Sequence, residues 1–341
     1  MTLQQWCRIP FGARSILLGS FFLLAGLMQP VFAAYPDKPI KVLVGYAPGS
    51  STDIIGRIIA QDLSIALKQT VVIENRGGAG GSLAADAVAK SAPDGYTILF
   101  AQNGLAINVA ANPKLAFNGM KDLIPVVGVT ATPHILVVNK EFQAKNVAEL
   151  VALLKSKPGK LSFASSGIGN SDHMAGELFL AMTGLQAIHV PYKGGSPAAT
   201  DVLGGQIDFY FAGMPVGLPL YKGDKLRALA VTSKQRFSGA PELPTMIEAG
   251  VRAYDMTLWQ GVFVPAGTPK EIMSLLSTTI LKLLEDPETK ARLNKAGVQI
   301  APMNQAQFSE LYFSEIARWK QVMEKTNIKL EWNAHVEFVL L

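Results

Sequence analysis

The stretch from Val42 to Arg57, VLVGYAPGSSTDIIGR, constrains the fold most strongly because a tight glycine turn joins a strand pattern to a helix pattern. Its opening apolar run is typical of a buried strand, and apolar residues from Ile54 to Leu67 recur at helical spacing. A helix N-terminus has unpaired N–H groups and a partial positive charge, so it attracts anions. Gly49 lets a ligand approach the backbone, and Ser51 or Thr52 is predicted to cap the helix. Such turns are common in α/β proteins, so this one alone does not indicate a binding site.

Two later stretches repeat the strand-to-helix pattern. Ser165–Ser171 follows one apolar run and Tyr192–Ser196 follows another. In the second stretch Ser196 is predicted to be the N-cap, with Pro197 as the first helical residue. All three turns offer backbone N–H groups, hydroxyls and small residues at a helix start. If they face one another across a cleft, they can hold a carboxylate at each end, and this repetition favours a binding function.

The N-terminus has the pattern of an export signal. Arg8 and Arg14 form a positive segment, and Ile16 to Leu27 is an apolar core too short for a membrane span. Ala33 closes a small-residue cleavage motif. We therefore predict that residues 1–33 are a cleaved signal peptide and that the mature protein is periplasmic.

Composition excludes several classes of protein. The 341 residues are 49% hydrophobic and 17% charged, which indicates a globular chain long enough for two lobes. Removal of Arg8 and Arg14 lowers the 31 basic residues to 29, against 26 acidic ones. This excess of three includes no basic block, so no nucleic-acid partner is predicted. The only cysteine, Cys7, leaves with the signal peptide, which excludes disulfides and cysteine-ligated metals in the mature chain.

The mature chain alternates strand and helix patterns, which predicts α/β lobes built on doubly wound, mainly parallel sheets. Two crossings are expected. The first consists of two short strands, Val126 to Val129 and Ile135 to Val138, and the second is Trp259 to Val264. They divide the chain into lobe 1, at 34–130 and 258–341, and lobe 2, at 131–257. Ligands of such folds bind at the carboxyl ends of strands, here in the cleft between the lobes.

Other local signals predict helix starts and packing. Asn146 with Glu149 forms a capping-box pattern, and Thr268 to Glu271 forms another with a proline at the first helical position. Asp53 complements the dipole of the first helix, where Arg57 either pairs with it or faces solvent. Trp259 belongs either to a core or to a cleft wall.

Catalytic chemistry has little support in the sequence. The four histidines form no i, i+4 metal pair, so no metal site is predicted; they are His134, His173, His189 and His335. The sequence SSGIG is not the nucleophile elbow of hydrolases, although a pair of Ser166 and His173 leaves a periplasmic hydrolase as an alternative. The glycine-rich NRGGAGGS lacks the spacing of nucleotide-binding loops, so no cofactor is predicted.

Long ordered motifs between Tyr35 and about Ile328 carry a resemblance to a known family. They include YPDKPIKVLVGYAPGSSTDIIGR, VVIENRGGAGG, SSGIGNSDHMAGELF and HVPYKGGSPAATDVLGGQIDFYF. In these motifs the chain resembles the Bug receptors, the solute-binding proteins of tripartite tricarboxylate transporters. The resemblance implies a two-lobed Venus-flytrap fold, a periplasmic location and capture of a small carboxylate for membrane transporter subunits. It also implies that the protein is not an enzyme, and we expect a monomer.

In that family the strand–helix loops of both lobes hold the ligand carboxylate through backbone amides and ordered water. Carried over, the resemblance implies these ligand-binding residues: Tyr46, Gly49, Ser50, Ser51, Thr52, Asp53, Ser165, Ser166, Gly167, Ser171, Tyr192 and Lys193. Among them we expect Gly49 to matter more than Lys193, because helix starts attract an anion without a partner charge.

The chain departs from the family pattern in two places. Ser50 replaces the usual second glycine after Gly49, and the end from Trp332 to Leu341 exceeds the usual finish. The ligand can be a di- or tricarboxylate, an aromatic acid or an amino acid. A receptor that serves a membrane sensor kinase remains an alternative to a transport protein, because both would share one ligand chemistry.

Overall fold

The computed structural model describes residues 35–326 together with residues 328 and 330. The chain divides into two units, Met1–Asp37 and Lys38–Leu341, and the second unit is described below. The expected signal peptide, His335 and the tail from Trp332 to Leu341 lie outside the described residues.

Strands and helices alternate along the described chain. The strands are β1 Ile40–Val44, β2 Val71–Asn75, β3 Thr97–Gln102, β4 Leu123–Asn139, β5 Ser162–Ser165, β6 Ile188–Pro191, β7 Phe209–Gly213, β8 Leu226–Val231, β9 Thr257–Pro265 and β10 Ile300–Met303. The helices are α1 Ser51–Leu67, α2 Ser82–Ala89, α3 Gly104–Ala111, α4 Val147–Ser156, α5 Ser171–Thr183, α6 Gly195–Leu203, α7 Met214–Lys222, α8 Lys270–Glu285, α9 Pro287–Lys295 and α10 Gln305–Thr326.

The strands pair in the order β2-β1-β3-β9-β4-β7-β5-β6, and β8 and β10 also pair with β4. Pairing is parallel around β1 and around β5, as the strand–helix alternation predicts. It is antiparallel wherever β4 or β9 takes part. The predicted α/β fold is therefore confirmed, with a mixed sheet in which the two crossing strands supply the antiparallel pairs.

The first crossing is one continuous strand, so the prediction of two short strands between Val126 and Val138 is wrong. The first half of β4 lies between β9 and β10, and its second half lies between β7 and β8. Pro133 occupies the point where β4 changes partner from Thr257 of β9 to β7. A missing N–H is tolerated at such a boundary, so the proline does not end the strand. The division into lobes at residues 130 and 258 stays a prediction.

Helix starts agree with the sequence at some positions and differ at others. The predicted cap of α4 by Asn146 is confirmed, because Asn146 Oδ1 accepts from Glu149 N at 2.9 Å. The return bond differs from a standard capping box: Glu149 Oε2 accepts at 2.7 Å from Lys145 N, one residue before the N-cap. The capping box predicted for α8 is wrong, because Thr268 Oγ1 donates to Pro265 O. The N-cap of α8 is Pro269, and it makes no side-chain capping bond.

Apolar side chains fill cores on both sides of the sheet. Trp259 is 3% exposed and packs against Phe263, Phe308 and Tyr312, with ring centroids 5.3–6.3 Å apart. It is therefore a core residue and not a cleft wall. None of the helices described combines the length and the apolar character needed to cross a bilayer.

Candidate functional site

The first strand-to-helix turn is held by its own side chains. Gly49 has φ +80°, a conformation that glycine adopts without strain. Ser50, and not Ser51 or Thr52, caps α1, because its Oγ accepts from Asp53 N at 3.3 Å. Asp53 Oδ2 in turn accepts from Gly49 N at 2.9 Å. The turn is thus fixed from both ends, and the Gly49 amide is already bonded within the protein.

Asp53 also forms an ion pair with Arg57 of the same helix. It is 2% exposed and accepts from Arg57 Nε at 3.0 Å and from Asn75 Nδ2 at 2.8 Å. Burial raises the pKa of Asp53, but the hydrogen bonds from Arg57, Gly49 and Asn75 outweigh it and hold the pKa below its usual value. The Asp53 carboxylate therefore holds the turn together. Of the two alternatives for Arg57, pairing with Asp53 is the one observed.

The second turn, Ser165–Ser171, is held by three histidines. His189 Nε2 lies 2.6 Å from Ser165 Oγ, and His134 Nε2 lies 3.0 Å from Ser171 Oγ. His173 Nδ1 accepts from Gly169 N at 3.1 Å, and its ring stacks on His189 with centroids 3.7 Å apart. The imidazoles therefore fix the loop at its start, middle and end.

Two of these imidazoles are kept neutral. Burial lowers the pKa of His134 to about 3. Burial, with the neighbouring His173, lowers the pKa of His189 to about 2. A neutral imidazole both donates and accepts, so each ring can bond its serine hydroxyl in either direction. These histidines shape the loop without adding positive charge.

The Ser166–His173 pair of the hydrolase alternative is not formed. Ser166 Oγ accepts from Asn170 Nδ2 at 3.1 Å, whereas His173 accepts from the backbone of Gly169. Ser165 Oγ does contact His189, but Ser165 is fully buried. Within the described residues, no group of three or more His, Cys, Asp or Glu could hold a metal ion.

Both turns face one small polar cavity of about 20 Å³, room for about one water molecule. Its wall carries hydroxyl, amide, imidazole and carboxyl groups. The lining residues are Tyr46, Ser50, Ser51, Thr52, Gln102, His134, Ser166, Ser171, Asp172, Gly195, Tyr210, Gly213 and Leu258. Among the residues that the structure describes, no lysine or arginine lines this cavity.

Four helices begin at this cavity. Ser51, Ser171 and Gly195 are the first residues of α1, α5 and α6, and Gly213 is the N-cap of α7. The first N–H groups of a helix have no intrahelical partner, and each helix adds a partial positive charge at this end. The cavity therefore combines free backbone donors with a positive potential that requires no cationic side chain.

Contacts between the turns close the cavity. Ser196 Oγ donates to Gly49 O at 2.8 Å, so the first and third turns touch directly. Ser196 does this from inside α6, whose N-cap is Gly194, so the prediction of Ser196 as N-cap is wrong. Asn108 Nδ2 of α3 lies within 3.4 Å of Gly80 O and Gly169 O, which links the glycine-rich loop after β2 to the second turn.

The structure divides the twelve sequence-predicted residues into two groups. Six line the cavity: Tyr46, Ser50, Ser51, Thr52, Ser166 and Ser171. Six do not: Gly49, Asp53, Ser165, Gly167, Tyr192 and Lys193. The Tyr192 hydroxyl bonds Asp201, and the Lys193 side chain is exposed.

Seven lining residues were not selected from the sequence: Gln102, His134, Asp172, Gly195, Tyr210, Gly213 and Leu258. Gly195 and Asp172 stand in or beside turns that were recognised. A glycine after the apolar strand Phe209–Gly213, followed by a helix start, is the signal that could have identified Gly213. The others depend on how strands pair.

Comparison with known proteins gives the class of this fold and site. Residues 55–328 match the family model described as "Tripartite tricarboxylate transporter family receptor". The chain therefore belongs to the tripartite tricarboxylate transporter receptor family, whose members are periplasmic solute-binding receptors and not enzymes.

Individual relatives lie within this family. Protein BugT of Bordetella pertussis is 36% identical over 318 residues, which are 92% of this chain and 98% of BugT. The structure of Rpa4515 of R. palustris with adipate has a TM-score of 0.84 and 32% identity, covering 86% of this chain and 99% of that one. MatC of Rhodopseudomonas palustris with bound malate has a TM-score of 0.80 and 30% identity, covering 84% and 99%. The Bug-receptor resemblance is confirmed.

Proposed function

We propose that this protein captures a small carboxylate in the periplasm and delivers it to a membrane transporter of the tripartite tricarboxylate type. The observation that carries the proposal is the convergence of four helix N-termini on one polar cavity that no described lysine or arginine lines. Free N–H groups and aligned dipoles favour a carboxylate over a neutral or cationic ligand. The adipate and malate bound by two relatives support the same ligand class.

The size of the cavity requires movement during capture. A volume of about 20 Å³ is too small for a dicarboxylate, so the turns must separate to admit one. We propose that they separate about the paired crossing strands, near Thr130–Pro133 and Thr257–Gly261. The contact between Ser196 and Gly49 then forms and breaks with each cycle.

The role of backbone donors can be tested at Ser51, the first residue of α1. Proline is well accepted at this helix position, and the extended Ser50 (ψ 160°) suits a residue that precedes proline. Ser51→Pro therefore deletes the N–H of a cavity-lining residue while the helix remains. Ser51→Ala is the matched control, because it removes the hydroxyl and keeps the N–H.

Calorimetric titration with adipate and with malate should show binding of at least one of them to the wild type. Ser51→Pro should weaken it by about 2 kcal/mol, as for loss of a hydrogen bond to a charged group, and Ser51→Ala by about 1 kcal/mol. Small-angle scattering of the same samples should show a smaller radius of gyration with the tighter ligand. Failure of the wild type to bind any small carboxylate would refute the proposal, and equal effects of the two variants would refute the backbone mechanism.

The partner is tested separately from the ligand. Delivery to a transporter predicts that deletion of the gene abolishes cellular uptake of the identified carboxylate. Uptake that persists, with loss of a transcriptional response to that carboxylate, would instead indicate the sensor-kinase alternative.

A further inference from the structure

One acidic side chain stands among the donors of the cavity wall. Asp172 lies in the first turn of α5 and is 3% exposed. Its Oδ2 accepts from Ser166 N at 2.7 Å and from the Tyr210 hydroxyl at 2.9 Å. Its Oδ1 accepts from His173 N at 2.9 Å. The carboxyl group is therefore held in a fixed orientation by both sides of the second turn.

Asp172 has no cationic partner within residues 35–326. The ion pairs of the described chain all involve other carboxylates. The ionisable groups that face it are the phenols of Tyr46 and Tyr210, with the imidazole of His134 bonded to the adjacent Ser171. Burial raises the pKa of Asp172 against the opposing effect of its hydrogen bonds, which is the expected result for a carboxylate without a counter-charge.

The cavity thus presents two kinds of group close together. Helix starts supply N–H donors for an anion, and Asp172 supplies an acceptor that still lacks a positive partner. The first N–H groups of α5 and the Asp172 carboxylate belong to adjacent residues. The chemical complement of this wall is a carboxylate with a hydrogen-bond donor on the neighbouring carbon.

We propose that Asp172 is a specificity residue that makes this protein select small carboxylates carrying a hydroxyl or ammonium group beside the carboxylate. The proposal rests on the proposed function and narrows its ligand class. The hydroxyl or ammonium group of the ligand donates to Asp172, which has no cationic partner among the described residues. A plain dicarboxylate has no donor beside its carboxylate, so it leaves the Asp172 acceptor unpaired in the wall of the cavity.

Succinate, malate and aspartate test this selection, because they share four carbons and two carboxylates and differ only in the group on one carbon. Calorimetric titration of the wild type at pH 7.5 should show malate or aspartate binding at least tenfold more tightly than succinate. Preference for aspartate indicates an ammonium, and preference for malate indicates a hydroxyl. In Asp172→Asn the three dissociation constants should lie within about threefold of one another.

Asp201→Asn is the matched control. Asp201 also accepts from a tyrosine hydroxyl, that of Tyr192, but it does not line the cavity, so its variant should keep the wild-type ranking. Equal binding of succinate, malate and aspartate to the wild type would overturn the proposal, as would an unchanged ranking in folded Asp172→Asn. If Asp172→Asn does not fold, the order of wild-type affinities for succinate, malate and aspartate alone tests the proposal. Absence of binding by these three acids and by adipate would overturn the proposed function as well.

Discussion

Two buried aspartates lie in the first turns of helices that begin at the cavity, and their surroundings are opposite. Asp53, in the first turn of α1, is paired with Arg57 and does not line the cavity. Asp172, in the first turn of α5, lines the cavity and has tyrosine and backbone donors only. The pKa of Asp53 is lowered and that of Asp172 is raised. The partner of an aspartate, and not its position in a helix, therefore decides whether its charge fixes a turn or remains available to a ligand.

Lowering the pH should produce the largest difference in stability between the two turns, because only the second turn is held by histidines. In the unfolded chain an imidazole binds a proton below about pH 6.5, whereas His134 and His189 stay neutral down to about pH 3 and 2. The unfolded state therefore binds more protons in this window, and stability falls as the pH drops below 6.5. Asp53, whose pKa is lowered, keeps its contribution until the pH falls below its unfolded value of 3.8.

Between pH 6.5 and pH 5 each of these histidines should remove about 2 kcal/mol of unfolding free energy. Urea unfolding at pH 7.5 and pH 5.0 measures the loss, and His189→Gln should reduce it by about half. Hydrogen exchange should show Ser165–Ser171 losing protection before Ser50–Asp53. Equal loss of protection in both turns would contradict this view.

Mutation of the two aspartates should have unequal effects on stability. Asp53→Ala leaves Gly49 N and Asn75 Nδ2 without their acceptor and should cost about 2–3 kcal/mol. Asp172→Asn keeps an amide oxygen for Ser166 and Tyr210 and turns its NH2 group toward His173 N, so only one donor loses its acceptor and the cost should be about 1 kcal/mol. Denaturant unfolding measures both, and a larger loss for Asp172→Asn would reverse our assignment of structural and ligand-binding roles.

The smallest effect is expected at Lys193. Its side chain is exposed and does not line the cavity, so Lys193→Ala should change carboxylate affinity less than about twofold. Affinity should for the same reason depend little on salt. Calorimetry in low and high salt checks both expectations, and a tenfold loss would show that the site relies on a charge clamp.

The turns could be predicted because their signals are local. An apolar run, a glycine and small hydroxyl residues specify a strand, a turn and a helix start within ten residues, as at Val44 to Asp53. The pairing of Asp53 with Arg57 at i, i+4 is equally local. Gly49 was expected at the ligand, but the same local chemistry binds its amide to Asp53 instead.

The missed residues depend on tertiary structure. Gln102, His134 and Tyr210 lie on β3, β4 and β7, which come together only when the sheet forms. No helix was predicted where α7 lies. Pro215 stands at its start, where a proline sacrifices no bond, whereas Pro219 lies inside the helix and removes one donor. Asp172 belongs to the recognised motif SSGIGNSDHMAGELF, but no local sequence pattern shows that its side chain has no cationic partner in the described part of the folded protein.

The continuous strand β4 has a consequence for how the protein melts. Its 17 residues pair with β9 and β10 at one end and with β7 and β8 at the other. If one set of partner strands separates, the backbone N–H and C=O groups of that half of β4 lose their hydrogen bonds, and the other half of the same strand loses its support. We therefore expect calorimetry to show a single cooperative transition for both halves. A chain cut within β4 should not yield two independently folding fragments, because each half would lack part of its central strand.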